Sequence, residues 1–166
     1  MRILIPVKGT PESEAPTVVA EQFGREFDAE IYLLRVVEWI DAFSGLRFDP
    51  DVLRMMEDAA RYVDKLASRL DLPADRVHAL VSWSDNVASE IINVAQNEDI
   101  DLIVMGTSRK GTVQRLLQGS VHRDVLHSQV CPVMCVPVEA AQVTSRERVR
   151  AVPRSSSARN PDLRDT

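Results

Sequence analysis

The chain has 166 residues, 45% hydrophobic and 27% charged, the make-up of one globular domain with a sizeable core rather than of a disordered or two-domain protein. Its net charge of −5 is uneven: from Glu139 onward six arginines face four acids, which leaves −7 on residues 1–138 and argues against nucleic acid as a partner. No apolar run approaches the ~20 residues that span a bilayer, and Met1–Val7 is too short for a signal peptide, so a cytoplasmic protein without membrane contact is expected.

Strand-like and helix-like patterns alternate along the chain. Arg2–Val7 is a nearly continuous apolar run, as expected of a central strand covered on both faces. Ser13 is the expected N-cap of a first helix, with Pro16 in its first turn, where no helical N–H is lost. Ala15, Val18, Val19 and Phe23 make that helix's apolar face, with Phe27 just beyond. Glu30–Val37, rich in β-branched and aromatic residues, predicts a second strand. The connection Glu38–Asp49 holds Trp39, Phe43 and Phe48, and its length is typical of functional loops. Pro50 suits the first turn of a second helix, whose stripe runs through Val52, Met55, Met56, Ala59, Val63, Leu66 and Leu70.

Arg76–Trp83 alternates as a third strand, with Val77, Ala79 and Val81 on one face. Ser84 or Asp85 can cap a third helix, which turns Val87, Ala88, Ile91, Ile92 and Ala95 inward. Asp101–Met105 is a fourth strand that runs straight into Gly106. Gly119-Ser120 opens a fourth helix through Val121, Val125 and Leu126. Pro132–Val138 is a fifth strand whose prolines suit an edge position. Such repetition predicts an α/β fold: an open parallel sheet with right-handed crossovers and helices on both faces. Residues 139–166 hold Ser155-Ser156-Ser157 and no apolar period, and read as a flexible polar tail on a folded domain of residues 1–138.

In such a sheet, ligands sit beyond the carboxyl ends of the strands, where the strand order reverses. Two segments suit that place: the turn Pro6-Val7-Lys8-Gly9-Thr10 and the connection from Gly106 through Arg109, Lys110 and Gly111 to Gly119-Ser120. Glycines let backbone N–H groups approach a phosphate, and a helix N-terminus adds free donors and a favourable dipole. The first turn of that helix carries His122 and Arg123, where the dipole favours acids, so a bound anion would relieve the mismatch.

Other chemistry is poorly served. Gly106-x4-Gly111-Thr112 lacks the lysine of a Walker A loop, and no G-x-G-x-x-G follows the first strand. Cys131 and Cys135 have neither C-x-x-C spacing nor a second ligand pair, and read as small apolar residues in or beside a buried strand. His122 and His127, five apart, leave a common helix face, so no metal ligand is assigned. No nucleophile–base grouping or carboxylate pair stands out, so no catalytic residue is assigned and an enzyme is not expected.

Together Ile3-Leu4-Ile5-Pro6-Val7, Asp101-Leu102-Ile103-Val104-Met105-Gly106, Gly119-Ser120-Val121 and Cys131-Pro132-Val133 resemble the universal stress proteins, over Arg2 to about Val138. The resemblance implies sheet order 3-2-1-4-5 and a homodimer through the last strand, 132–138. It also implies ATP as cofactor, bound by a motif of the form G-x2-G-x9-G-[ST]. Gly106, Gly119 and Ser120 match that motif, whereas Arg109 occupies its second glycine and Gly111 is displaced by two residues. Lys8 stands where nucleotide-binding members usually have an aspartate, and His122 where they often have a small hydroxyl residue. On this reading Gly106, Arg109, Gly111, Gly119, Ser120 and Val121 surround the phosphates, Lys8 adds charge and Val36 lines the base pocket. The alternative is a dimeric interaction module on the same fold that binds no nucleotide.

Overall fold

The apolar runs become the five strands of one sheet in a computed structural model that describes residues 1–38, 50–107 and 120–137. In chain order the elements are β1 (Arg2–Pro6), α1 (Pro11–Glu26), β2 (Glu30–Glu38), α2 (Pro50–Ala67), β3 (Val77–Ser84), α3 (Val87–Asn97), β4 (Leu102–Thr107), α4 (Ser120–Ser128) and β5 (Val133–Pro137). All neighbouring strands are parallel, in the order β3-β2-β1-β4-β5. This is the architecture and the strand order expected from the sequence.

Alternation along the strands divides the core into two layers. Ile3, Ile5, Ile31, Leu33 and Val104 pack with Ala15, Ala20, Val63 and Leu66 of α1 and α2. Leu4, Tyr32, Leu34, Ile103 and Met105 pack with Ala88, Ile91 and Val125 of α3 and α4. Ile3, Leu4 and Ile5 of the central strand are fully buried, each contributing roughly 1.5–3 kcal/mol by leaving water. Among the described residues no helix is long and apolar enough to cross a membrane.

Several local expectations are corrected. Thr10, not Ser13, is the N-cap of α1: its side chain accepts from the Ser13 N–H, and Ser13 Oγ accepts from the Thr10 N–H at 3.1 Å. This capping box starts the helix three residues earlier, with Pro11 at its first position, so Pro16 lies inside the helix. Asn86 caps α3 rather than Ser84 or Asp85, because its Oδ1 reaches the Ser89 N–H at 3.0 Å while Ser84 Oγ is spent on the Asn86 backbone. Met55, placed on the apolar stripe of α2, is 51% exposed. Cys135 is exposed on the open side of β5 and Cys131 is half-buried; partial burial pushes both thiols up. Residues 138–166 and the connections 39–49 and 108–119 lie outside the described residues.

Strand lengths are unequal at the carboxyl end of the sheet. β1 stops at Pro6, which pairs with Leu34, while β2 continues four residues further to Glu38. On the other side Leu4 pairs with Ile103, so β4, ending at Thr107, outruns β1 by two residues. The central strand is the shortest of the three there, and leaves a notch. At the opposite end, the Glu30 carboxylate accepts from Tyr32 Oη–H and His78 Nε2–H, both at 3.2 Å.

Candidate functional site

A cavity of about 430 Å³ opens over this notch, within the range of small-ligand sites. Its floor is Pro6, Val7, Leu34 and Met105, and its far wall is Val87 and Ile91 of α3. Lys8, Val36, Gly106 and Val121 all line it, so four of the sequence-assigned site residues meet in one place. Ser120 begins α4 beside them; nothing of its side chain is described. Arg109, Gly111 and Gly119 lie outside the described residues.

The turn after β1 is rigidly held. Gly9 has φ +85°, a conformation that favours glycine, and it reverses the chain directly after Lys8. Ser13 Oγ accepts from the Lys8 N–H at 2.9 Å and donates to the Thr10 carbonyl at 2.9 Å, so one hydroxyl ties the turn to α1. Tyr62 of α2 backs this turn, its ring 4.0 Å from where a Gly9 Cβ would stand. Its hydroxyl donates to Glu14 at 2.8 Å; burial first, then the Glu14 carboxylate, hold the phenol above the usual tyrosine range. Lys8 is exposed, and its ammonium has neither a hydrogen bond nor an ion pair among the described residues.

Val36 contributes main chain as well as side chain. The Val7 N–H donates to the Leu34 carbonyl at 2.8 Å, so Leu34 turns its peptide groups toward β1. In a parallel sheet alternate residues face alternate neighbours, so Val36 also turns its N–H and C=O toward β1, beyond the end of that strand. A donor and an acceptor on one residue therefore look over the notch. On the other side, His122 Nε2–H donates to the Gly106 carbonyl at 2.9 Å and fixes the imidazole across the end of β4.

The sequence reading places Thr10 in the turn beside the site but omits several wall residues: Leu34, Arg35, Glu38, Val87, Ile91 and Met105. The apolar periods of β2, β4 and α3 account for most of them as core, not as cavity. The signal that identifies Val87 and Ile91 is positional, since both lie in the first turns of a helix that starts at the carboxyl edge of the sheet. No group of three or more metal-ligating side chains occurs among the described residues.

The universal stress protein family model matches residues 1–137, and with them the notch and every described wall of the cavity. This chain belongs to the universal stress protein family. A universal stress protein of Methanocaldococcus jannaschii is 32% identical over 143 residues, covering 81% of each chain. Universal stress protein A homolog 2 of Coxiella burnetii is 30% identical over 145 residues, 84% of this chain and 97% of that one. Among solved structures, a universal stress family protein from Burkholderia pseudomallei superposes with TM-score 0.62 at 22% identity, over 82% of this chain and 95% of that one. One from Archaeoglobus fulgidus, solved with dAMP, gives TM-score 0.58 at 20% identity over 82% and 97%. Another universal stress protein, solved with cAMP, gives 0.56 at 15% identity over 83% and 97%. At these identities the structures establish the fold. The chain is a stress-response protein of the universal stress type.

Proposed function

We propose that this universal stress protein binds an adenine nucleotide, ATP or its mono- or diphosphate, in the crevice over β1. The observation that carries the reading is Val36, whose N–H and C=O overhang the end of β1 within an apolar cavity. Adenine presents a ring-nitrogen acceptor beside an amino donor, the complement of that pair. Guanine offers a carbonyl acceptor where adenine offers the amino donor, so it meets the Val36 carbonyl acceptor to acceptor. Val36, Val87 and Ile91 supply apolar contact for the ring faces, and the 5′ side then runs toward Gly106 and the first turn of α4. Support of a coarser kind comes from the two relatives solved with cAMP and dAMP.

Titration calorimetry with AMP, ADP, ATP and the matching guanine nucleotides tests the reading. Adenine nucleotides are expected to bind and guanine nucleotides at least tenfold more weakly, the scale of one buried mismatched pair. Equal affinity for both bases, or no binding at millimolar concentration, overturns it.

A homodimer through β5 belongs to the same proposal. Ile103 N–H donates to the Pro132 carbonyl, so Met134 and Val136 face β4, and Val133 and Cys135 turn their peptide groups outward. An unpaired edge of this kind is covered when a second copy adds its own strand. The free thiols Cys131 and Cys135 accord with a cytoplasmic setting. If no nucleotide binds, this edge favours the second reading, a dimeric interaction module.

A further inference from the structure

The order of strands fixes the order of chemistry along the crevice rim. From β2 to β4 the rim presents Val36, then Lys8 after β1, then Gly106 with His122. Neighbouring strands lie about 4.8 Å apart, so Val36 and Gly106 are separated by about 10 Å, the reach of a nucleoside from base edge to 5′-phosphate. The Lys8 backbone stands between them, after the central strand, at the level of the ribose.

The other charged groups of the cavity do not neutralise it there. Glu38 lies beyond Val36, where β2 pairs only with β3, and Arg35 belongs to the opposite face of β2, near Tyr62 of α2. Ser13 fixes the Lys8 backbone through its N–H, and Gly9 sets the chain direction, so the side chain starts from a fixed point. Its ammonium carries three donors, and among the described residues none has an acceptor. A neutral ribose offers hydroxyls, but no charge to match this cation.

We infer that the crevice selects an adenine nucleotide bearing a phosphate on the ribose itself, at the 2′ or 3′ oxygen, in addition to the one at the 5′ end. The inference rests on the nucleotide reading given above. Lys8 holds the ribose phosphate by a charge-assisted hydrogen bond, and the 5′-phosphate lies toward Gly106 and α4.

ADP and adenosine 3′,5′-bisphosphate carry the same number of phosphates in different places, so comparing them separates position from number, and the Lys8 variants show whether the preference belongs to this side chain. In calorimetric titrations of the full chain, the bisphosphate, or its 2′,5′ isomer, is expected to bind on the order of tenfold more tightly than ADP. Lys8→Gln should bring the two to parity, Lys8→Arg should keep the preference, and Lys8→Asp should reverse it. Unchanged melting curves would show that these variants remain folded. The inference is overturned if ADP binds as well as both bisphosphates, or if the preference survives in Lys8→Gln; either leaves adenine binding intact. Absence of binding by AMP, ADP and both bisphosphates overturns the nucleotide reading itself.

Discussion

Replacing Ser13 by alanine removes one hydroxyl and its hydrogen bonds, of which the three shortest are those accepted from the Lys8 and Thr10 N–H groups and the one donated to the Thr10 carbonyl. Each is partly open to water, so each contributes toward the lower end of the usual 0.5–1.5 kcal/mol. The summed loss is therefore about 1–2 kcal/mol, the scale of a deleted helix cap. For a domain of this size the thermal midpoint should fall by roughly 3–8 °C. The loss is local in origin. Amide exchange at Lys8 and Thr10 should accelerate strongly while amides of the fully buried Ile3 and Ile5 slow or quicken only with global stability. Differential melting together with amide exchange reads both quantities. A midpoint within about 1 °C of the parent, with unchanged exchange at Lys8 and Thr10, refutes the claim that this hydroxyl holds the turn.

Two further outcomes follow from burial and charge. Val136 is 3% exposed and packs inside its own subunit, so Val136→Asp should unfold the protein, whereas Cys135→Asp, on the open side of β5, should leave its stability nearly unchanged and shift a dimer toward monomer in sedimentation. A folded Val136→Asp protein, or a Cys135→Asp variant that sediments like the parent, contradicts this. Hydrogen bonds from His78 and then Tyr32, with the Arg2 charge, hold the Glu30 carboxyl below the ordinary glutamate range despite some desolvation. Its contribution is present above the unfolded-state value and is lost as pH falls through the lower folded-state value. Denaturant midpoints of Glu30→Gln between about pH 2 and pH 6 should show a flatter acid limb, and a profile parallel to the parent rejects the idea.

The fold was legible because strands buried on both faces write themselves as unbroken apolar runs, and Ile3-Leu4-Ile5 and Leu102-Ile103-Val104 are such runs. Helix starts were less legible. Ser13 and Thr10 both have capping chemistry, and which one caps depends on backbone angles that residue type does not set. Met55 fits the period of α2, but period alone does not tell which positions of a stripe a neighbouring element covers. In the site, Lys8, Gly106 and Val121 could be placed from the ends of elements. The peptide groups of Val36 could not, because their orientation follows from pairing register and from where β1 stops.

The short central strand has a consequence for what a substitution can change. On the proposed reading a nucleotide over β1 meets main chain as well as side chains, and no substitution short of proline alters the N–H and C=O that Val36 turns toward the notch. That part of the surface comes with the fold, while Lys8 on its rim is exposed and carries little packing. A change at Lys8 therefore alters the charge the rim presents with hardly any change in stability.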